Sequence, residues 1–141
     1  MPTTTETNKA IERRFVEEFW NENKLDSVED FYAADYSRHD PNTPNVALGP
    51  EGVRQVAAML RAAFPDVRLK IEDLLAEGDL VATRWTATAT HLGEYQGIAP
   101  TGKKFEVKGI SITRFVDGKI TDEWVSWDAA GLLKTIGAIS E

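Results

Sequence analysis

The sequence contains no cysteine among its 141 residues. This absence excludes disulfides, thiol nucleophiles and thiolate metal sites together, and it fits a reducing compartment. No apolar run approaches the roughly 20 residues that a membrane-spanning helix requires, and the first residues lack the basic and apolar segments of a signal peptide. We therefore expect a cytoplasmic protein that does not enter a membrane.

Positive charge is also scarce, since 16 Lys and Arg face 23 Asp and Glu and the formal net charge is −7. The basic residues form no run, so the surface offers no site for nucleic acid or for an anionic membrane. Phosphate loops, dinucleotide-binding fingerprints and the Gly-x-Ser-x-Gly motif are absent from the sequence as well. We expect neither a nucleic-acid partner nor a membrane partner.

What the sequence does contain is typical of one globular domain. It is 42% hydrophobic and 28% charged, and at this length a single core is feasible without disulfides or metals. It has no internal repeat, low-complexity segment or linker. We predict a single domain over residues 1–141.

Helical periodicity dominates the first half of the chain. Residues 3–22 are predicted to form an amphipathic helix whose apolar stripe includes Phe15 and Phe19 and whose opposite, solvated side includes Glu12. Thr3 and Glu6 have the spacing of a capping box. Next come a short helix that ends at residue 32, a brief strand over 35–39 and a loop over 40–49. The next helix begins at residue 50 and ends before residue 65, with Phe64 on its apolar stripe.

Alternation with a period of two begins near residue 67 and indicates strands. In the strand over residues 80–91, Trp85 shares a face with two alanines and His91, whereas Arg84 and the threonines share the other. The small alanines leave space in front of that face, so we predict that it forms one wall of a cavity. We expect Arg84 and Thr88 to face away from the cavity.

A hairpin is predicted where the runs Val107–Val116 and Lys119–Trp127 meet at Asp117-Gly118, because Asp-Gly suits a tight primed turn. A two-residue turn without further irregularity pairs Ser111 with Trp124. The alternation then places Trp124 and Asp128 on the cavity side of the second strand. The other side of this strand would carry Glu123, Val125 and Trp127, of which Val125 and Trp127 are large and apolar.

These elements predict an α+β fold, a cone-shaped, curved antiparallel sheet wrapped around the N-terminal helices. The loops 40–49 and 92–102 would rim the opening of the cone, and a short helix over 129–136 would end the chain. Because a monomer would expose Val125 and Trp127 together, we also predict a homodimer through that face.

Several short motifs, in this order, resemble those of the SnoaL-like polyketide cyclases, which have the nuclear-transport-factor-2-like fold. They span nearly the whole chain and are Tyr36…His39-Asp40-Pro41, Ala63-Phe64-Pro65-Asp66, Glu77-Gly78-Asp79 with Val81…Arg84-Trp85, Thr90-His91-Leu92-Gly93 with Gly97-Ile98, Pro100-Thr101-Gly102-Lys103, Arg114-Phe115…Asp117-Gly118-Lys119-Ile120, and Glu123-Trp124…Asp128 with Gly131-Leu132-Leu133. The sequence departs from the family pattern at Ala99 and at Lys134-Thr135, which lie away from the proposed chemistry.

The resemblance implies intramolecular aldol ring closure of polyketide esters without a cofactor or a metal, in a dimer or larger assembly. It also implies that Asp128 is the acid/base residue. Because Asp128 directly precedes a helix, a role as its N-cap is the competing interpretation. For His91, the alternatives are a hydrogen bond to the substrate or an anchor for the glycine-rich loop that follows.

The predicted substrate contacts are seven further residues. They are His39, Trp85, Trp124, Phe15, Phe19, Phe64 and Tyr95. With only two histidines far apart in sequence, we do not expect a metal site. Three functions remain open at this point: a cyclase, a small-molecule binding protein without turnover, and an isomerase or hydratase on the same fold.

Overall fold

The computed structural model describes residues 3–42 and 47–137. The elements, in chain order, are α1 (Thr4–Phe15), which continues as a π-helical segment (Val16–Asn21), a 3₁₀ turn (Leu25–Ser27), α2 (Val28–Phe31), β1 (Tyr32–His39), α3 (Pro50–Ala63), β2 (Arg68–Glu77), β3 (Leu80–Thr90), β4 (Lys104–Val116), β5 (Lys119–Trp127) and α4 (Ala129–Thr135). The α+β prediction is confirmed.

The five strands form one sheet in the order β1-β5-β4-β3-β2. Three of its four strand pairs are antiparallel, but β1 runs parallel to β5. The sheet is therefore mixed, and the prediction of a wholly antiparallel sheet is wrong at this edge. The reason is that α3 and three strands, β2, β3 and β4, separate β1 from β5 in sequence, so no hairpin joins them.

The first helix begins with the predicted capping box. The Glu6 backbone N–H donates to Oγ1 of Thr3 at 3.1 Å, and the Thr3 N–H donates to Oε2 of Glu6 at 3.2 Å. At the other end, the Asn21 side chain donates to the Leu69 carbonyl and accepts from its N–H, at 2.9 and 2.7 Å. These bonds fix the helix against β2, so its buried stripe faces the sheet.

The predicted two-residue turn is present, with Asp117 at φ 51° and Gly118 at φ 78°. Val116 pairs with Lys119 and Phe115 with Ile120, as expected. The register then shifts between Phe115 and Arg114, because Arg114 pairs with Asp122 and leaves Thr121 as an extra residue in β5. This bulge changes which face every later residue of β5 occupies.

As a result of the bulge, Ser111 pairs with Val125 and not with Trp124. Glu123 and Val125 are buried, whereas Trp124 is 37% exposed on the opposite face. The predicted assignment of faces in β5 is therefore wrong from this point on, and Val125 and Trp127 cannot form an outer dimer face.

Among residues 3–42 and 47–137, no helix is long and apolar enough to cross a membrane.

Candidate functional site

A cavity of about 120 Å³ lies between the helices and the inner face of the sheet. Its wall is rich in aromatic side chains, namely those of Phe15, Trp20, Phe64, Trp85, Tyr95, Phe105 and Trp127. The Trp85 indole donates to Oγ of Ser111 at 3.0 Å, which fixes its ring in the wall. Gly109 makes room for that ring, since a Cβ there would lie 2.4 Å from Cζ2 of Trp85.

Four of the predicted contact residues lie on this wall: Phe15, Phe64, Trp85 and Tyr95. That they bind a substrate stays a prediction. Arg84 faces the other way, as expected, and pairs with Asp73 at 2.6 Å on the surface.

Three other predicted contact residues lie elsewhere. Phe19, on the π-helical segment, is buried in the core, where its ring stacks on that of Phe15 with centroids 5.4 Å apart. His39 and Trp124 stack on each other on the outer face of the sheet, with ring centroids 5.1 Å apart. In β1 the alternation directs the neighbours of His39, Arg38 and Asp40, to the inside.

The structure places Asp128 outside the cavity, so the prediction that it faces Trp85 across the interior is wrong. Asp128 is exposed and accepts a hydrogen bond from the Gly131 N–H at 2.8 Å, which makes it the N-cap of α4. The residue before it, Trp127, takes the place on the cavity wall because of the Thr121 bulge. The capping interpretation of Asp128 therefore describes its position.

His91 is fully buried but lies behind the cavity wall, under the loop that follows β3. Its Nδ1 accepts from the Thr101 N–H at 3.3 Å and lies 3.0 Å from the Thr101 hydroxyl. Backbone hydrogen bonds join His91 to Lys103 and Gly102 as well, both at 2.9 Å. These contacts match the loop-anchor interpretation, and the expectation that His91 faces the cavity with Asp128 is wrong.

The polar part of the cavity wall contains residues that the sequence analysis did not select. Glu123 on β5 accepts hydrogen bonds from the hydroxyls of Tyr32 and Tyr36, both at 2.8 Å and both on the same oxygen, Oε1. Arg38 pairs with Glu123 in the register of β1 and β5, and its guanidinium lies 3.3 Å from Asp40. Both oxygens of Asp40 are engaged, because Oδ1 accepts from the Asn42 N–H at 2.9 Å.

Electrostatics perturb the pKa values of Arg38 and of the two tyrosines. Burial lowers the pKa of Arg38, but its interactions with Glu123, the two tyrosines and Asp40 outweigh burial and raise the pKa above its usual value. Burial, together with the Glu123 charge, raises the pKa of Tyr32 and of Tyr36. The arginine is therefore cationic and the phenols are neutral near pH 7.

Glu12 on α1 is the third carboxyl group of the wall and differs from the other two. It is 3% exposed, and its Oε1 accepts from the Thr83 hydroxyl at 3.4 Å. Within the described parts of the chain, its other oxygen, Oε2, is buried and has no hydrogen-bond partner. Burial raises the pKa of Glu12 to about 8, the nearby Glu123 adds to the rise, and the Thr83 hydrogen bond opposes it.

The helical spacing of the sequence indicates the buried position of Glu12. Asn8, Glu12, Phe15 and Phe19 follow the i, i+4, i+7, i+11 spacing of one helix face, and all four are buried. Glu12 was assigned to the solvated side because it is charged, and that assignment is wrong.

Two other features were considered as sites. An open groove of about 820 Å³ runs along the outside of β2 and β3, but charged, solvated side chains line most of it. Among residues 3–42 and 47–137, no group of three or more His, Asp or Glu side chains is placed to hold a metal ion. The cavity with the largely aromatic wall is therefore the candidate functional site.

Comparison with known proteins agrees with this fold and cavity. The family description "SnoaL-like polyketide cyclase" matches residues 10–136. Nogalonic acid methyl ester cyclase from Streptomyces nogalater is 27% identical over 84% of this chain and 89% of its own length. Aklanonic acid methyl ester cyclase AcmA from Streptomyces galilaeus is 33% identical over 79% of this chain and 77% of its own.

Among solved structures, TsrD from Streptomyces laurentii superimposes with a TM-score of 0.85 and 27% identity. The alignment covers 94% of this chain and 96% of TsrD. The extent of the family match and the curated relatives together identify the chain, which belongs to the SnoaL-like polyketide cyclase family.

Proposed function

We propose that the protein closes a ring in a β-keto ester by an intramolecular aldol reaction in this cavity, using acid/base chemistry alone. The observation that carries this proposal is a buried carboxyl group in the wall of a largely aromatic cavity, with one oxygen that no described residue engages in a hydrogen bond. Family membership supports the reaction class, since two relatives are named as cyclases of polyketide methyl esters.

The reaction needs one proton to be moved and then returned. A base takes a proton from the carbon next to the ester carbonyl, and the resulting enolate carbon attacks a ketone carbon of the same molecule. A C–C bond forms while the electron pair of the C=O π bond moves to its oxygen, which takes up a proton. No oxidant or reductant is consumed, so a protein carboxyl group suffices for the proton steps.

The cavity volume bears on the substrate. Pockets for drug-sized ligands typically measure about 300–1,000 Å³, and this cavity measures about 120 Å³. It therefore suits a compact β-keto ester, or the reacting part of a larger one. Met59, which is 41% exposed, lies at the wall and is the flexible side chain best able to move for a larger group.

The test is product formation from a series of esters that grow in size. The series ends with nogalonic acid methyl ester and aklanonic acid methyl ester, the compounds for which the two relatives are named. We expect ring-closed product, which has the mass of the substrate but a different chromatographic retention and NMR spectrum. The smaller esters should have the highest kcat/KM. Turnover confined to the two largest esters would contradict the size argument.

Two other functions of the same cavity give different results in this test. Tight binding without product across the whole series would favour a binding protein. A product whose double bond has moved, or to which water has been added, would favour an isomerase or a hydratase.

We also propose a homodimer, through a different face from the one predicted. Ile110, Ile112 and Trp124 lie on the outer side of β4 and β5 and are 51%, 39% and 37% exposed. Ile112 and Trp124 are direct cross-strand partners, so the three side chains form one apolar patch.

The dimer is tested by sedimentation of Ile112→Lys beside a matched variant, Leu75→Lys. Leu75 is also exposed, at 69%, but lies on β2 at the far edge of the sheet. We expect the wild type and Leu75→Lys to sediment as dimers and Ile112→Lys as a monomer. A monomeric wild type at micromolar concentration would contradict the proposal.

A further inference from the structure

We infer that Glu12, on the first helix, is the catalytic residue that carries the proton during ring closure, an inference that rests on the proposed reaction. Glu12 lines the cavity and is 3% exposed, and its Oε2 has no hydrogen-bond partner within residues 3–42 and 47–137. A general base needs a free lone pair, and this oxygen, on a residue of the cavity wall, has one.

The other two carboxyl groups of the wall are less suited to the task. Glu123 accepts both tyrosine hydroxyls on Oε1 and faces the cationic Arg38 across the strand pair. Asp40 accepts from Arg38 on one oxygen and from the Asn42 backbone on the other. A proton on Oε1 of Glu123, or on either oxygen of Asp40, would compete with these hydrogen bonds.

The surroundings of Glu12 also favour a strong base. Burial raises its pKa to about 8, and Glu123 on β5 adds to the rise. The remaining charged and titratable groups nearby are Arg38, Asp40, Tyr32 and Tyr36 on β1 and after it, and they are engaged with Glu123 or with each other. The Thr83 hydroxyl on β3 is the neutral donor that orients Oε1.

The carboxyl group of Glu12 is sufficient for both proton transfers of the reaction. In its ionised form Glu12 takes the proton from the carbon next to the ester carbonyl and becomes a neutral acid. After the enolate carbon has attacked the ketone carbon, Glu12 returns that proton to the new alkoxide. The C–H bond broken is balanced by the O–H bond formed, and Glu12 ends in its starting state.

The first experiment compares wild type, Glu12→Gln and Glu12→Asp with a matched control, Glu17→Gln, which changes an exposed carboxylate one turn along the same helix. Glutamine keeps the size and an acceptor for Thr83 but cannot take up the proton. We expect Glu12→Gln to lose about 10²–10⁴-fold in kcat, Glu12→Asp to keep part of it, and Glu17→Gln to match the wild type. The wild-type rate should rise about tenfold per pH unit until it levels off near pH 8.

A second experiment keeps the inference testable even if no ring closure is found. Methyl 2-methylacetoacetate has the acidic C–H but no second carbonyl in position to close a ring, so only proton exchange with D₂O is observed. We expect wild type to speed this exchange above the protein-free rate, and Glu12→Gln to abolish the increase.

The outcomes separate the two proposals. Exchange that depends on Glu12 without ring closure of any ester would remove the cyclase and keep the role of Glu12. Ring closure that is undiminished in a folded Glu12→Gln protein would remove Glu12 and keep the cyclase. Wild type that speeds neither reaction would overturn both.

Discussion

Two buried glutamates, Glu12 on α1 and Glu123 on β5, lie on the wall of the same cavity in contrasting environments. Glu123 accepts two phenol hydroxyls at 2.8 Å and faces Arg38. Glu12 accepts one long hydrogen bond, at 3.4 Å, and within the described residues its second oxygen has no partner. Both carboxyl groups are removed from water to a similar degree, with 3% and 5% of their surface exposed.

Because burial is similar, the hydrogen bonds and charges around the two groups account for the difference between them. Two hydroxyl donors hold the Glu123 carboxyl group in place, and it lies opposite the cationic Arg38. The surroundings of Glu12 disfavour the charge and raise its pKa to about 8. The comparison teaches that a buried acid serves structure where its lone pairs are filled, and can serve proton transfer where one is open.

The strongest test of this contrast is Glu123→Gln. The substitution leaves the Arg38 charge buried without its main counter-charge, and removing one partner of a buried pair typically costs about 3–5 kcal/mol of unfolding free energy. It should also lower the pKa of Glu12, since Glu123 helps to raise it. The measurements are urea unfolding and the pH at which the exchange or cyclisation rate levels off.

The control for this variant is Glu29→Gln, which removes the partner of Arg54 at an N–O distance of 3.0 Å on the surface. Glu29 is 69% exposed, so water solvates both groups after the change and the loss of stability should be much smaller. Equal losses of unfolding free energy in the two variants would show that the buried network stabilises the fold no more than a surface ion pair does.

The next effect is the pH dependence of stability that comes from Glu12. Its pKa rises from an ordinary 4.5 to about 8 on folding, so between these values the folded protein holds a proton that the unfolded chain has released. Its contribution to stability is therefore complete below about pH 4.5 and is lost as the pH rises towards 8. At about 1.4 kcal/mol per pKa unit, wild type should lose about 2 kcal/mol relative to Glu12→Gln between about pH 6 and pH 7.5.

This difference is measured by unfolding both proteins in urea at a series of pH values. The subtraction removes the titration of all other groups, provided that they behave alike in both proteins. Parallel curves for the two proteins would mean that Glu12 does not titrate in this range, and the proposed base would lose its physical support.

The sequence was sufficient for the parts of the molecule that follow simple periodicity. The capping box, the helix at Pro50, the Asp117-Gly118 turn and the cavity face of Trp85 and Ala87 are all present. These features depend on neighbouring residues or on unbroken alternation, which a sequence displays directly. The order and length of these elements also predict the α+β fold, with a curved sheet around the helices.

The site was harder to predict because two local events decided it. One extra residue at Thr121 exchanged the faces of β5, moving Glu123 to the inside and Trp124 to the outside. Nothing in the alternation of Ile120, Trp124 and Ser126 marks that bulge. Glu12, by contrast, is buried although charged residues are rarely buried alone, so its charge predicts the wrong side of the helix.

The smallest predicted effect concerns Asp128, a third carboxyl group whose exposure sets it apart from both buried glutamates. It accepts the Gly131 N–H at 2.8 Å as the N-cap of α4. Asp128→Ala should therefore cost about 1 kcal/mol of unfolding free energy, and Asp128→Asn much less, because asparagine caps a helix about as well. Turnover should survive in Asp128→Asn, whereas Glu12→Gln should lose it. Removing an acid/base group typically lowers the rate about 10²–10⁴-fold. If Asp128→Asn showed a loss of that size at unchanged stability, Asp128 would carry the proton. The contrast between the two buried glutamates would then not govern catalysis.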